Sequence, residues 1–455
     1  MIDIRINGYI TGYFYKGIMF VKAEIELTDE AKFIMDRLKK EGYEVYVVGG
    51  VVRDWLLRKQ IKDWDFTTSA PASEIKRIFK DKTLFSLKHD TVTVVIKGKN
   101  YEITPFRGKS LVEDLMHRDF TINAMAYDRE RKVVLDPYNG LKDLRKKLIR
   151  ATVDPKARFI EDPLRLMRAI RFAVELGFRI DRETLDAVTE MAELIQQVSW
   201  ERIRDELLKI LVSPFPARGV EIMHKVGLLK YVIPELSRCY GVRQNRFHRY
   251  TVFKHIMITL QNVEPDPVLR LSALFHDIGK PATKKKKQGR VTFYGHEKKS
   301  ACMTRQIMKR LKFSNEVISQ VVTLVKEHML NYSSEWSDSA VRRLISRVGK
   351  DLIIPLIMLR KADLIAHGKN KSQEIALLEE LRERVEKELK KRAVLTVKDL
   401  KINGSIIMKE LGIQQGPEVG RILRILWEKV IDNPDLNNPD ALLSLAKRIK
   451  EQERI

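Results

Sequence analysis

Two aspartates, Asp63 and Asp65, stand two residues apart at the end of the run GGVVRDWLLRKQIKDWDF, which begins at Gly49. On a β-strand, residues i and i+2 share a face, so both carboxylates can hold one pair of Mg²⁺ ions. Two such ions can activate a 3′-hydroxyl and neutralise the charge that develops on a triphosphate. A lone D-x-D is usually a polar turn, but here it has a specific setting. Gly49 and Gly50 follow a β-branched run at 45–48 and allow the backbone to approach a bulky anion closely. Residues 51–58 read as a helix that aims its first amides at that anion. Arg53 lies in its first turn, in reach of a triphosphate or of Asp54.

Two further groups have the residue types for chemistry. In Glu161-Asp162-Pro163-Leu164-Arg165, Asp162 and Arg165 are three apart and face the same way on a helix. A carboxylate accepts from an exocyclic amine and a guanidinium donates to a ring nitrogen or carbonyl, so the pair can read a base edge without a template. The alternative is that Asp162 only caps a helix starting at Pro163, with Arg165, Arg168 and Arg171 on a solvated face. The second group is the His276-Asp277 pair at the end of the apolar run LSALF. Imidazole with carboxylate suits a divalent metal of unspecified identity that activates water, whereas a single histidine is more often a satisfied core residue.

The elements that must position these groups change character along the chain. Residues 27–41 have helical spacing behind a cap at Thr28 or Asp29, and strands are expected at 45–48, 64–67, 91–97, 101–106 and 132–135. Beyond about residue 150 the pattern is almost entirely helical. Lys284 to Lys287 read as a solvated loop, with nucleic-acid contact as the alternative. The formal net charge of +24 favours a polyanionic partner, or else a lysine-rich soluble surface. Two isolated cysteines, no signal-peptide pattern and no long apolar run suggest a cytoplasmic protein that crosses no membrane.

Taken in order, these motifs resemble the polymerase-β nucleotidyltransferase superfamily, and within it the class II tRNA nucleotidyltransferases and their bacterial poly(A) polymerase relatives. His117-Arg118-Asp119-Phe120-Thr121-Ile122-Asn123-Ala124 is similar to the family's R-R-D-F-T-x-N-A block, with His117 in place of the first Arg. Asp136-Pro137-Tyr138-Asn139-Gly140 with Asp143-Leu144 matches D-P-x-x-G-x-x-D-L, read as a turn and helix start that stiffens the head–neck junction. Arg202 and Glu206 match R-x-x-x-E-L, a buttress of the neck. LFHDIGKP resembles the HD phosphohydrolases, which implies metal ligands at His255, His276, Asp277, His296, His328 and Asp363.

The resemblance implies an α+β fold: a small polymerase-β-like head, then an all-helical neck, body with an HD domain, and tail. The expected limits are an N-terminal extension at 1–28, head at 29–150, neck at 151–213, body at 214–366 and a tRNA-binding tail at 367–455. It implies Asp63 and Asp65 as catalytic Mg²⁺ ligands, with Gly49, Gly50 and Arg53 at the triphosphate and Arg118 and Asp119 at nucleotide and ribose. Asp162 and Arg165 choose the base between CTP and ATP, and Arg168 and Arg171 contact phosphate. The implied activity is addition of C, or of complete CCA, to tRNA. The competing readings are a poly(A) polymerase, and an HD phosphohydrolase or RNA-binding protein with an inactive head. One departure bears on the product: only five residues, Gly108 to Val112, separate Arg107 from Glu113-Asp114. Relatives that add full CCA have a long basic loop here, and its loss accompanies addition of C alone.

Overall fold

The computed structural model describes residues 12–15, 17–61, 63–81, 83–84, 91–245, 249–287, 290–391 and 396–453. The chain forms two compact units, Met1–Val232 and Ile233–Ile455.

The first unit is built on a nine-stranded sheet. Its strands are β1 (Gly12–Tyr15), β2 (Ile18–Lys22), β3 (Val45–Val48), β4 (Trp64–Thr68), β5 (Thr83–Leu84), β6 (Val92–Ile96), β7 (Lys99–Pro105), β8 (Ala126–Asp128) and β9 (Val133–Asp136). They lie in the order β1-β2-β9-β8-β3-β4-β7-β6-β5. Every neighbouring pair is antiparallel except β4 with β7, whose parallel register sets Asp65 opposite Glu102. Helix Asp29–Lys40 is capped by the Thr28 hydroxyl, has acids in its first turn and bases in its last. It buries Ile34, Met35 and Leu38 in the same core as Val47, Phe66, Val94 and Ile103 of the sheet.

The expected strands all form, within two residues of their expected ends. The described part of residues 1–28, however, is no mere extension: β1 and β2 pair as a hairpin, and β2 joins β9 with Phe20 opposite Leu135 and Val21 opposite Val134. Burial of Met19, Phe20 and Val21 holds it there. The helix expected to start at Pro163 is also different. Helix Pro155–Glu161 ends at Asp162, and a new helix, Arg165–Leu176, begins after a turn. Strand structure persists beyond residue 150 as a short parallel pair, Leu148–Ile149 with Arg179–Ile180. The lysine run likewise forms a hairpin, Lys285–Lys287 with Arg290–Thr292, rather than a loop.

The second unit is helical apart from that hairpin among the described residues. Helices Val252–Gln261, Pro267–Phe275, His296–Arg310, Asn315–Glu327 and Ile353–Ala366 contribute or flank the histidine cluster. Gly404–Leu411, Pro417–Asp432 and Pro439–Glu453 enclose a separate core of Ile407, Ile422, Leu426, Leu442 and Ala446. No helix of the described residues is long and apolar enough to cross a membrane.

Candidate active site

β3 ends in a turn whose first residue, Gly49, has φ +71°. A Cβ there would meet Arg118 Nη1 at 3.0 Å and Asp65 Oδ2 at 3.2 Å, so only glycine lets both groups close on the turn. Asp63, Asp65 and, across the parallel pair, Glu102 line one cavity of 1310 Å³ together with Gly49, Gly50 and Arg53. Burial raises the Asp65 carboxyl above its ordinary range; Asp63 adds to this, against the pull of Arg118, Arg168 and Arg53. Glu102 is raised in the same direction by burial and then by Asp65 and Asp63. Carboxylates that disfavour one another's charge are a hard oxygen donor set suited to divalent cations. Glu102 did not stand out in the sequence. The available signal was a charged residue between buried Tyr101 and Ile103 on a strand, and its meaning depends on which strand lies alongside.

Basic groups face these acids within the same cavity. Arg53 is clamped by Asp54 (2.9 and 3.0 Å) and by Asn123 Oδ1 (2.7 Å). Arg168 donates to Asp119 Oδ2 through Nε at 2.8 Å. Burial works against the Asp119 charge, but Arg168 and the Asn123 amide outweigh it and hold the carboxyl well below the usual range. Arg171 gives Nη1 to Glu206 at 3.0 Å, so its charge is already paired with the helix Trp200–Leu211. The Phe172 ring lies beneath three guanidiniums, those of Arg53, Arg168 and Arg171, at 5.1, 5.5 and 4.1 Å from its centroid. Arg118 lies 3.5 Å from Asp114 and also faces the cavity.

Asp162 and Arg165 reach the same cavity. Asp162 carries Leu164 N–H at 3.2 Å and is ion-paired to Arg202 at 3.0 Å. Arg165 gives Nη1 to Glu161 Oε2 (2.8 Å) and the Arg158 carbonyl (3.2 Å), and Nη2 to the His117 carbonyl (2.8 Å). Of five guanidinium donors this leaves Nε–H and one Nη2 hydrogen. The segment from Arg107 to Glu113 is tied down: Asp114 accepts from Arg107 N–H, Glu113 from Lys109 N–H, and Ser110 caps helix Leu111–Met116.

In the second unit, His255, His276, Asp277, His296, His328 and Asp363 converge, all of them buried. Each imidazole Nδ1 lies 2.7–3.0 Å from a main-chain carbonyl, of Ala366, Ala273, Phe293 and Val325 respectively. Those acceptors assign the proton to Nδ1 and turn every Nε2 inward. His255 Nε2 then confronts His276 Nε2 at 3.2 Å, while Asp277 lies 3.3 Å from His255, His276 and His296. Asp363 lies 2.9 Å from His255. Burial lowers His328 to about 3, which keeps its imidazole neutral, whereas at His276 burial is outweighed by Asp277 and Asp363, which raise it. Inward lone pairs beside two carboxylates fit a divalent metal. Buried Lys280, not singled out in the sequence, adds a cation 2.6 Å from Asp277 and 2.8 Å from Gln244.

Comparison with known proteins bears on both units. Residues 45–150 match the family described as “Poly A polymerase head domain”, 177–239 the one described as “Probable RNA and SrmB- binding site of polymerase A”, and 292–446 the one described as “tRNA nucleotidyltransferase domain 2 putative”. The chain is 30% identical over 455 residues to the CCA-adding enzyme of Limosilactobacillus reuteri, covering 95% of this chain and 100% of that one. It is 32% identical over 404 residues to the CC-adding tRNA nucleotidyltransferase of Thermus thermophilus, covering 85% and 89%. The crystal structure of the Bacillus stearothermophilus CCA-adding enzyme in complex with CTP superposes with a TM-score of 0.70 at 28% identity, covering 93% and 98%.

Proposed function

The chain belongs to the tRNA nucleotidyltransferase family that contains the CCA-adding enzymes, and from that premise we propose that it adds C residues to the 3′ end of tRNA from CTP. Asp63, Asp65 and Glu102 would hold Mg²⁺, which when bound supplies charge neutralisation at the triphosphate and activation of the attacking hydroxyl. The 3′-oxygen of the tRNA bonds to the α-phosphorus as the bond to pyrophosphate breaks. Arg53, Arg118 and Arg168 supply the positive wall for the phosphates and, with Asp119 and Gly49, orient the nucleotide.

Base choice follows from hydrogen-bond polarity. Cytosine and adenine both present an amine donor beside a ring-nitrogen acceptor; uracil and guanine present a carbonyl beside an N–H. An acceptor at Asp162 and free donors on Arg165 match the first pair and oppose the second. The observation that carries the reading is the gathering of Asp63, Asp65, Asp162 and Arg165 around one cavity. The short tethered segment after Arg107 supports a product ending in C, because it leaves no long loop to reshape the pocket for ATP. We assign the second unit's histidine–aspartate cluster to metal-assisted hydrolysis of a phosphate or 2′,3′-cyclic phosphate end, supported by four inward Nε2 atoms beside Asp277 and Asp363. The tail and the net charge support tRNA as the partner.

The test is extension of tRNA lacking its 3′ end with CTP alone, ATP alone and both. Two C additions without A are expected. A complete CCA end overturns the C-only product, a long A tail makes the chain a poly(A) polymerase, A addition only to tRNA already ending in CC replaces the C-adding reading, and no extension of either tRNA overturns the assignment to nucleotide transfer. His276→Ala with Asp277→Ala should abolish hydrolysis of a 2′,3′-cyclic nucleotide and spare extension. Absence of hydrolysis by the wild type with every divalent metal tried sinks that second activity.

A further inference from the structure

His117 occupies the C-terminal cap of helix Leu111–Met116, behind the base-reading pair rather than at the nucleotide. Its Nδ1 lies between two groups of opposite demand: Glu161 Oε1 at 3.2 Å and Arg158 Nη1 at 3.3 Å. An imidazole nitrogen either donates to the first or accepts from the second, never both. The other oxygen of Glu161 takes Arg165 Nη1 and Arg158 Nη1, each at 2.8 Å. The His117 carbonyl takes Arg165 Nη2 at 2.8 Å, with Arg107 Nη1 at 3.5 Å. Two of the three acceptors that fix Arg165 therefore pass through His117 or its side-chain partner.

The surrounding charges leave Glu161 as the carboxylate that faces the ring. Arg158 lies beside it on the helix Pro155–Glu161, Arg165 on the next helix and Arg107 at the end of β7. In the ring's own helix, Glu113 is committed to Lys109 N–H at 2.7 Å. Asp114 is committed to Arg107 N–H at 3.2 Å and the Thr67 hydroxyl at 3.0 Å, and it is the partner of Arg118. The ring is 32% exposed, so protons reach it from solvent.

We propose that His117 is a positioning residue for base choice, holding Arg165 through the shared carboxylate of Glu161, so that discrimination between CTP and UTP follows the charge on the His117 ring. The proposal rests on the reading of Asp162 and Arg165 as the base-reading pair. With the ring protonated, Nδ1–H donates to Glu161 Oε1, the carboxylate is held at both oxygens and Arg165 is fixed. With the ring neutral and Nδ1 accepting from Arg158, Oε1 loses its donor, and the carboxylate that takes Arg165 is held at Oε2 alone. Imidazole changes charge in the neutral range; guanidinium does not.

Equilibrium dialysis of the full chain with CTP and with UTP, in Mg²⁺ and without tRNA, tests this across about pH 5.5 to 8.5, the range an imidazole spans. The triphosphate groups titrate alike and both base rings stay largely neutral across this range, so ligand ionisation largely cancels in the ratio of affinities. The CTP preference should fall about fivefold from the acidic to the basic end in the wild type, a fraction of the worth of one charge-assisted hydrogen bond, because Arg165 keeps its own contact with Glu161 Oε2. His117→Arg should keep the higher preference at every pH, and His117→Gln the lower one. A wild-type ratio independent of pH, or an unchanged pH profile in His117→Gln, overturns the proposal. Asp162→Ala separates the two levels. If it leaves the CTP preference intact, the base-reading assignment itself is wrong; if it erases the preference while His117→Gln behaves as wild type, only the role of His117 falls.

Discussion

Asp65 is bounded by the Cα of Gly49 on one side and by Glu102 on the other, and its neighbours decide how its charge behaves. Burial and Asp63 raise its carboxyl, so a divalent cation gains more from binding there than at a solvated acid. Asp65→Asn should lower single-nucleotide extension by on the order of 10³-fold, the scale of losing a group that acts on the transition state. Glu102 is more distant from the D-x-D in sequence but faces the same cavity. Glu102→Gln should lower extension less than Asp65→Asn does and raise the Mg²⁺ concentration needed for half-maximal rate. An unchanged Mg²⁺ requirement would remove Glu102 from the metal site.

At the scale of elements, the turn after β9 positions the helix that braces the head. Asp136 accepts from Gly140 N–H at 2.7 Å and Leu141 N–H at 2.9 Å. A Cβ at Gly140 would lie 2.2 Å from the Thr121 carbonyl. Burial nevertheless pushes the Asp136 carboxyl up to about 6, against those backbone donors. A carboxyl raised in the fold binds protons that the unfolded chain releases, so its contribution to stability is lost as pH rises from about 4 through 6. Relative to Asp136→Asn, wild-type stability should therefore decline by about 2 kcal/mol across that window. Parallel melting curves for the two proteins would disprove it.

In the second unit, Arg342 of helix Asp338–Val348 donates to the Ile431 carbonyl at 2.7 Å and Asp432 carbonyl at 3.3 Å, and pairs with buried Glu388 at 2.9 Å. It thus closes the C-terminal end of helix Pro417–Asp432. Arg342→Met should cost about 3 kcal/mol by leaving Glu388 buried with a weaker partner, and adding Glu388→Leu should recover much of it. No recovery in the double variant would place the loss in the uncapped carbonyls instead.

For the whole molecule, a net charge of +24 sets the response to salt. If tRNA contacts involve about six phosphates, affinity should fall on the order of 10³-fold between about 50 and 200 mM salt. A shallow dependence would mean that the basic residues are a solvating surface.

The sequence by itself picked out those candidate residues whose pattern is local: Gly-Gly ahead of D-x-D, Asp162 three before Arg165, and His276 beside Asp277. Strand and helix identity in the head was equally legible, since periodicity and caps are local too. Tertiary structure alone decided which distant segments meet. The partner strand made Glu102 a neighbour of Asp65, and β9 turned the interrupted apolar run at 18–22 into a sheet strand. The break at Asp162 into two helices let Glu161 reach both Arg165 and His117, an arrangement without a spacing signature. Such contacts arise from packing between segments far apart in the chain, which a reading of local pattern does not contain.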